Sequence, residues 1–129
     1  MANYDQLKAE FAQNKGWDSQ YRLIIQLGKA LESLPETLKI EANLVQGCES
    51  LAWLVIEQEN GVYDLKMDSD TRVVKGLMKI ISLIFQNKTK QQIIDINCDD
   101  LFAELGLLNH LSPSRTNGLL AIIKKIQTI

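Results

Sequence analysis

Among the side chains of this sequence able to act as nucleophiles, Cys48 has the most favourable setting. It stands in Gly47-Cys48-Glu49-Ser50, a short polar turn directly before the strand-like run from Leu51 to Ile56. Gly47 before it and the polar pair after it favour an exposed turn, where a partner's sulfur can approach the thiolate in line. A thiol of ordinary pKa, about 8.5, is only a few per cent ionised at neutral pH, so nearby positive charge would raise its reactivity. Glu49 works against this, and no histidine lies near in sequence to act as a base. The competing reading is a small buried apolar residue, since free cysteine is among the most buried residue types.

The other candidates are weaker. Cys98 lies in Asn97-Cys98-Asp99-Asp100, where two carboxylates oppose thiolate formation. His110 sits in a short connection between Asn109 and Leu111, a setting more typical of a surface or helix-end residue than of a catalyst. Arg115 falls in the first turn of the last predicted helix, where a positive charge opposes the helix dipole; it is placed for an anion or a partner, or is simply solvated. Asp68-Ser69-Asp70 precedes the best helix and reads as cap and first-turn acids rather than metal ligands. Trp17 and Trp53 read as packing residues, with Trp53 also suited to anchor an interface.

Composition narrows the function classes. A chain of 129 residues with 46% apolar and 23% charged residues fits one domain, 1–129, with one real core. The net charge is -2 and no Lys/Arg-rich block is present, which argues against nucleic-acid binding. Met1 to Glu10 carries charges and no apolar run of signal-peptide length, and no stretch approaches a membrane span, so the expectation is a cytoplasmic protein with no membrane partner. The two cysteines are read as thiols, because a core of this size needs no disulfide.

The elements that must position Cys48 follow from periodicity. A helix is predicted over about Asn3 to Asn14, with Tyr4, Leu7 and Phe11 on one face, Gln6 three residues after an Asn3 cap, and Gly16 just past the end. A second starts near Asp18 as cap and puts Tyr21, Ile24, Ile25, Gly28 and Leu31 on one side. Pro35 to Lys39 is a turn or single helical turn, and Asn43 to Gln46 a brief strand. Asn60-Gly61 marks a type I′ hairpin in which Glu59 pairs with Val62, Ile56 with Leu65 and Leu54 with Met67. Ala52 and Tyr63 join that apolar face; Leu51, Trp53 and Val55 oppose Lys66 and Asp68 on a mixed face. A strong helix follows from about Asp70 to Gln86, lined by Val73, Leu77, Ile80, Ile81 and Ile84. Thr89 and Gln92 form a capping box for a short helix, Asp99 or Asp100 caps another that stops at Gly106, and Ser112-Pro113 opens the last. Helices, antiparallel strands, then helices indicate an α+β fold.

The segment Val45-Gln46-Gly47-Cys48-Glu49-Ser50-Leu51-Ala52-Trp53-Leu54 resembles the signature of the SufE/CsdE sulfur-acceptor family. Three more blocks carry the resemblance in order: Trp17 with Tyr21-Arg22-Leu23-Ile24 and Leu27-Gly28, then Asp68-Ser69-Asp70 leading to Val74-Lys75-Gly76-Leu77, and Leu111-Ser112-Pro113-Ser114-Arg115 with Asn117-Gly118-Leu119. Gln20, where the family often has arginine, and Ala52, where it often has valine, are departures that leave the sulfur chemistry untouched. The resemblance implies a two-layer SufE/NifU-type fold, a small antiparallel sheet packed against helices.

It also implies a function. Cys48 would accept the persulfide sulfur of a PLP-dependent cysteine desulfurase of the SufS/CsdA type, stimulating that enzyme, and pass the sulfur to an iron-sulfur scaffold or another acceptor. Arg115 matches an arginine that the family places near the acceptor loop, where it would favour the thiolate or contact the partner, and Gly47 supports the turn. The protein would hold no cofactor or metal of its own and would not turn over independently. Whether it forms a homodimer stays open. A persulfide left in water is lost to passing thiols, so the Cys48 side chain is expected to be sheltered until the partner docks. The alternatives are a stand-alone thiol enzyme, a peroxidase or cysteine hydrolase, which lacks a nearby histidine and any C-x-x-C pair, and an iron-sulfur scaffold, for which two distant cysteines and one histidine are too few ligands.

Overall fold

The structure is a computed structural model that describes residues 3–47, 50–107 and 111–129. Helix α1 (Tyr4–Gln13) opens on Asn3, whose side chain accepts from the Gln6 N–H, as the sequence predicts. Asn14 is its C-terminal cap, and Gly16, just past the end as expected, opens α2 (Trp17–Ala30). Asp18 therefore lies in the first turn of α2 rather than at its cap. The buried face of α2 is Gln20, Leu23, Ile24, Leu27 and Gly28, rotated from the expected stripe, and Tyr21 is exposed. The stripe is set by contact with a helix that crosses it closely. A Cβ on Gly28 would stand 2.9 Å from the Arg72 carbonyl oxygen and the Gly76 nitrogen.

Short 3-10 turns at Glu36–Leu38 and Glu41–Asn43 lead to the hairpin. The brief strand expected at Asn43 to Gln46 shrinks to one bridge between Leu44 and Trp53, because the 3-10 turn ending at Asn43 and a turn starting at Gln46 leave only two extended residues between them. Strands β1 (Ala52–Glu59) and β2 (Val62–Ser69) pair antiparallel in the predicted register, Glu59 with Val62, Ile56 with Leu65 and Leu54 with Met67. Asn60 and Gly61 both take positive φ, 54° and 81°, as a type I′ turn requires. Ala52, Leu54, Leu65 and Met67 bury the inner face.

Helix α3 (Arg72–Phe85) is the centre of the fold, touching β2, α1, α2 and α6. It buries Val73, Val74, Leu77, Met78, Ile80, Ile81, Ile84 and Phe85, more of its circumference than one stripe, each large side chain contributing roughly 1.5–3 kcal/mol. Thr89 and Gln92 form the predicted capping box of α4 (Lys90–Asp95). Helix α5 (Cys98–Leu105) is capped by Asn97, whose side chain accepts from the Asp100 N–H. Asp99 and Asp100 are first-turn acids rather than caps, and Gly106 ends the helix in the left-handed conformation. Helix α6 (Pro113–Gln127) starts on Ser112 with proline in its first turn and buries Leu119, Ile122, Ile123 and Ile126. The architecture is α+β, helices packed on a two-stranded antiparallel sheet.

Candidate functional site

Cys48 and Glu49 lie outside the described residues, as does His110, but the chain on each side of Cys48 is fixed. Upstream, the Val45 N–H donates to the Ala52 carbonyl at 2.8 Å and closes the base of the loop. Gly47 has φ of +94°, a conformation that costs little only for glycine, and a Cβ there would meet the Ala121 Cβ of α6 at 3.4 Å. Downstream, the Leu51 carbonyl accepts from the Asp70 N–H at 3.3 Å and from the Ser69 hydroxyl at 2.7 Å. The described residues on the two sides of Cys48 thus lie against the flank of α6, through Gly47, and the end of β2, through Leu51.

Arg115 crosses to the same place. Its backbone N–H donates to Ser112 Oγ, which fixes the first turn of α6, and its Nη1 donates to Ser50 Oγ at 3.2 Å. Sequence reading left this residue between a solvated and a partner-facing role; the fold brings it beside the residue two places after Cys48. Ser50 Oγ also lies 2.8 Å from Thr71 Oγ1, which is 3.1 Å from Asp70 Oδ1. Thr71 occupies the cap position of α3 yet makes no side-chain capping bond. Such a bond typically contributes about 1 kcal/mol, and the hydroxyl is turned to Ser50 and Asp70 instead. Beside this cluster lies a small, largely apolar pocket of about 20 Å³, lined by Ser50, Val74, Leu77, Arg115, Leu119 and Ile122 among others.

Asp68-Ser69-Asp70 does not cap α3, and that expectation is corrected. Asp68 belongs to β2 and is 2% exposed. It accepts from the backbone N–H groups of Leu34 and Ser69, and Lys39 and Lys75 reach it at 3.3 and 3.6 Å. Burial alone would raise its pKa; the Leu34 and Ser69 N–H groups and the two lysines outweigh that and hold it below the ordinary value. Lys39 also lies over the Trp53 ring at 5.6 Å, so Trp53 packs beneath a cation on the mixed face, while Leu51 beside it is 48% exposed. Trp17 packs edge-on against Tyr21.

Cys98 is buried in the first turn of α5, and its thiol is pushed up to about 11, first by burial and then by Asp99. Among the described residues no group of three or more His, Cys, Asp or Glu side chains is arranged to hold a metal, and no helix is long and apolar enough to cross a membrane. Sequence reasoning missed Ser50 as the partner of Arg115 and Thr71 as a partner of Ser50. Only a contact across 65 positions joins Ser50 to Arg115, and no local pattern signals it.

Against known families, the profile described as "SufE: Fe-S metabolism associated domain" matches residues 5–129. The chain belongs to the SufE family. An uncharacterized SufE-like protein of Rhizobium meliloti (strain 1021) is 37% identical over 132 residues, which cover 99% of this chain and 94% of that one. A second, from Rhizobium etli, is 35% identical over 131 residues, covering 98% and 88%. The solution structure of a hypothetical protein from Thermus thermophilus shares the fold, with TM-score 0.77 at 15% identity, covering 97% of this chain and 90% of that one. The SufE domain thus spans nearly the whole chain and ties it to iron-sulfur metabolism.

Proposed function

We propose that this SufE-family protein is a sulfur acceptor and carrier. It takes persulfide sulfur from a PLP-dependent cysteine desulfurase of the SufS/CsdA type onto Cys48, stimulates that enzyme, and delivers the sulfur to an iron-sulfur scaffold or another acceptor in the cytoplasm. In the transfer step the Cys48 thiolate attacks the outer sulfur of the donor persulfide. A new S–S bond forms on Cys48, the donor S–S bond breaks, and its electron pair leaves with the donor cysteine as thiolate. The proton of the transferred SH group travels with it, so the step needs no oxidant or reductant.

The observation that supports this reading is the Arg115 guanidinium, held on Ser50 Oγ at 3.2 Å, two residues beyond Cys48. A fixed cation at that position favours the thiolate before transfer and the persulfide anion after it. The adjoining apolar pocket offers a water-poor niche beside the loop. Cys98, whose thiol is pushed up, is a poor competitor for the same chemistry.

The test is to incubate the protein with a cysteine desulfurase and cysteine and to measure intact mass. One added sulfur on the wild type and none on Cys48→Ser is the expected result, together with faster desulfurase turnover for the wild type only. Sulfur found on Cys98, or stimulation by Cys48→Ser equal to that of the wild type, would overturn the assignment.

A further inference from the structure

We infer that the outer edge of β2 is a docking notch for a short, extended, acidic peptide segment of a partner protein. The notch holds about 470 Å³ between residues 30–35, the edge of β2 at residues 64–67, and Lys79, Ser82 and Gln86 of α3. That volume falls within the roughly 300–1,000 Å³ of ordinary binding sites. The notch shares no lining residue with the pocket beside Ser50, and it does not require Cys48 to be an acceptor.

The open groups of this edge follow from the ladder. Tyr63 turns its backbone outward: its N–H donates to the Lys88 carbonyl at 2.9 Å, and its carbonyl accepts from the Asn87 N–H at 3.0 Å. An antiparallel strand repeats every two residues, so Leu65 and Met67 face the same way. The Leu65 N–H donates to Gln86 Oε1 at 2.9 Å, in agreement. The Leu65 carbonyl and both main-chain groups of Met67 have no partner among the described residues. Leu65 and Met67 are 6% and 2% exposed, a setting in which backbone groups are nearly always paired. Beyond Met67, Asp68 accepts from the N–H groups of Ser69 and Leu34. The protein's own chain thus occupies the edge at both ends and leaves it open between them.

An extended segment laid along the gap donates to the Leu65 and Met67 carbonyls and accepts from the Met67 N–H, the pattern of strand addition. The gap is about 7 Å long, so only a few residues of the segment pair with it. Charge selects the side chain. Lys79, Ser82 and Gln86 lie three and four positions apart on one face of α3, beside the edge. Gln86 is already engaged by the Leu65 N–H and the Asp64 carboxylate, and Lys66 by Glu57 at 3.2 Å. Lys79 is half-buried and has no carboxylate partner among the described residues. Glu32 on the rim is exposed and solvated, so the Lys79 ammonium is the charge that gains most from a ligand, and it calls for an acidic one.

The experiment is an amide NMR titration of the isotope-labelled protein with a terminally blocked pentapeptide alternating valine and glutamate. Its lysine counterpart, a version methylated on its backbone nitrogens, and free glutamate are the comparisons. The glutamate peptide should give saturable shifts centred on Leu65, Lys66, Met67, Lys79 and Ser82. Backbone methylation removes the donors and should abolish saturation. Lys79→Met should weaken binding roughly 3- to 10-fold and Lys79→Glu by about 10-fold or more, while Lys79→Arg stays near the wild type. Melting temperatures confirm that each variant is folded; if Lys79→Glu is not, Lys79→Met and the methylated peptide carry the comparison. No saturation by about 5 mM peptide, shifts centred elsewhere, or equal binding of the methylated or lysine peptide overturns the docking notch. So does an unchanged affinity in folded Lys79→Met. Free glutamate giving the same shifts at the same concentration would reduce the notch to an anion site and overturn it as well.

Discussion

Arg115 Nη1 donates to Ser50 Oγ across 3.2 Å, joining the first turn of α6 to the residue two places past Cys48. On the proposed reading the Arg115 guanidinium favours the Cys48 thiolate. Arg115→Ala is expected to move the midpoint of the Cys48 alkylation profile upward by roughly half to one pH unit and to slow sulfur acceptance at neutral pH. Arg115→Lys should recover part of the midpoint, since it restores charge without the planar fork. Unchanged midpoints in both variants would remove the electrostatic role.

Cys98 should be nearly silent in the same assay. With its thiol pushed up to about 11, only a trace is ionised near neutral pH, and burial blocks access as well. Wild-type protein should therefore take its first alkyl group on Cys48 and a second only on unfolding. Peptide mapping that finds Cys98 modified as fast as Cys48 would contradict this.

Asp68 governs acid stability. Its carboxyl lies below the ordinary 3.8 in the folded state. A depressed folded pKa means that its contribution is complete above the unfolded value and is lost as pH falls toward the folded one. Stability should be level in this respect above about pH 5 and decline below about pH 4. Asp68→Asn should lower stability by about 1–3 kcal/mol at neutral pH, because Lys39 and Lys75 lose a common partner, and should flatten that acid decline. Denaturant titrations at neutral pH and at about pH 3.5 measure both effects.

Gly76 tests the helix crossing. The backbone of Ile24 occupies the space where a Cβ on Gly76 would stand, so Gly76→Ala must push α2 and α3 apart. A loss of about 2–3 kcal/mol is expected despite alanine's better helix propensity. Gly61→Ala tests a different term: nothing lies within 4 Å of its Cβ, so only the cost of positive φ remains, about 1 kcal/mol. Thermal melts that rank Gly61→Ala as the more damaging would refute the close crossing.

What could be read from the sequence was local. The hairpin register was legible because Asn60-Gly61 admits one tight turn and the apolar alternation admits one face. Thr89 with Gln92 and Ser112 with Pro113 were legible because capping is settled within four residues. Asp68 was misread for the opposite reason. As a carboxylate before a helix it has the local signature of a cap, while its real partners, Leu34 and Lys39, approach from a segment about 30 positions earlier. The face of α2 was likewise set by Gly28 and Gly76 meeting across the crossing, which the periodicity of one helix cannot reveal. At the candidate site, Cys48 and Arg115 were singled out separately by residue type, but Ser50 and Thr71, which link Arg115 to the loop, have no signal shorter than the fold itself.

The tight bend at Asn60-Gly61 has a practical side. Eight strand residues separate it from the acceptor segment, a distance of about 25 Å. An epitope or affinity peptide spliced between those two residues would project from the hairpin tip, away from the starts of α3 and α6, providing a handle for isolating loaded and unloaded forms with both chain ends left native.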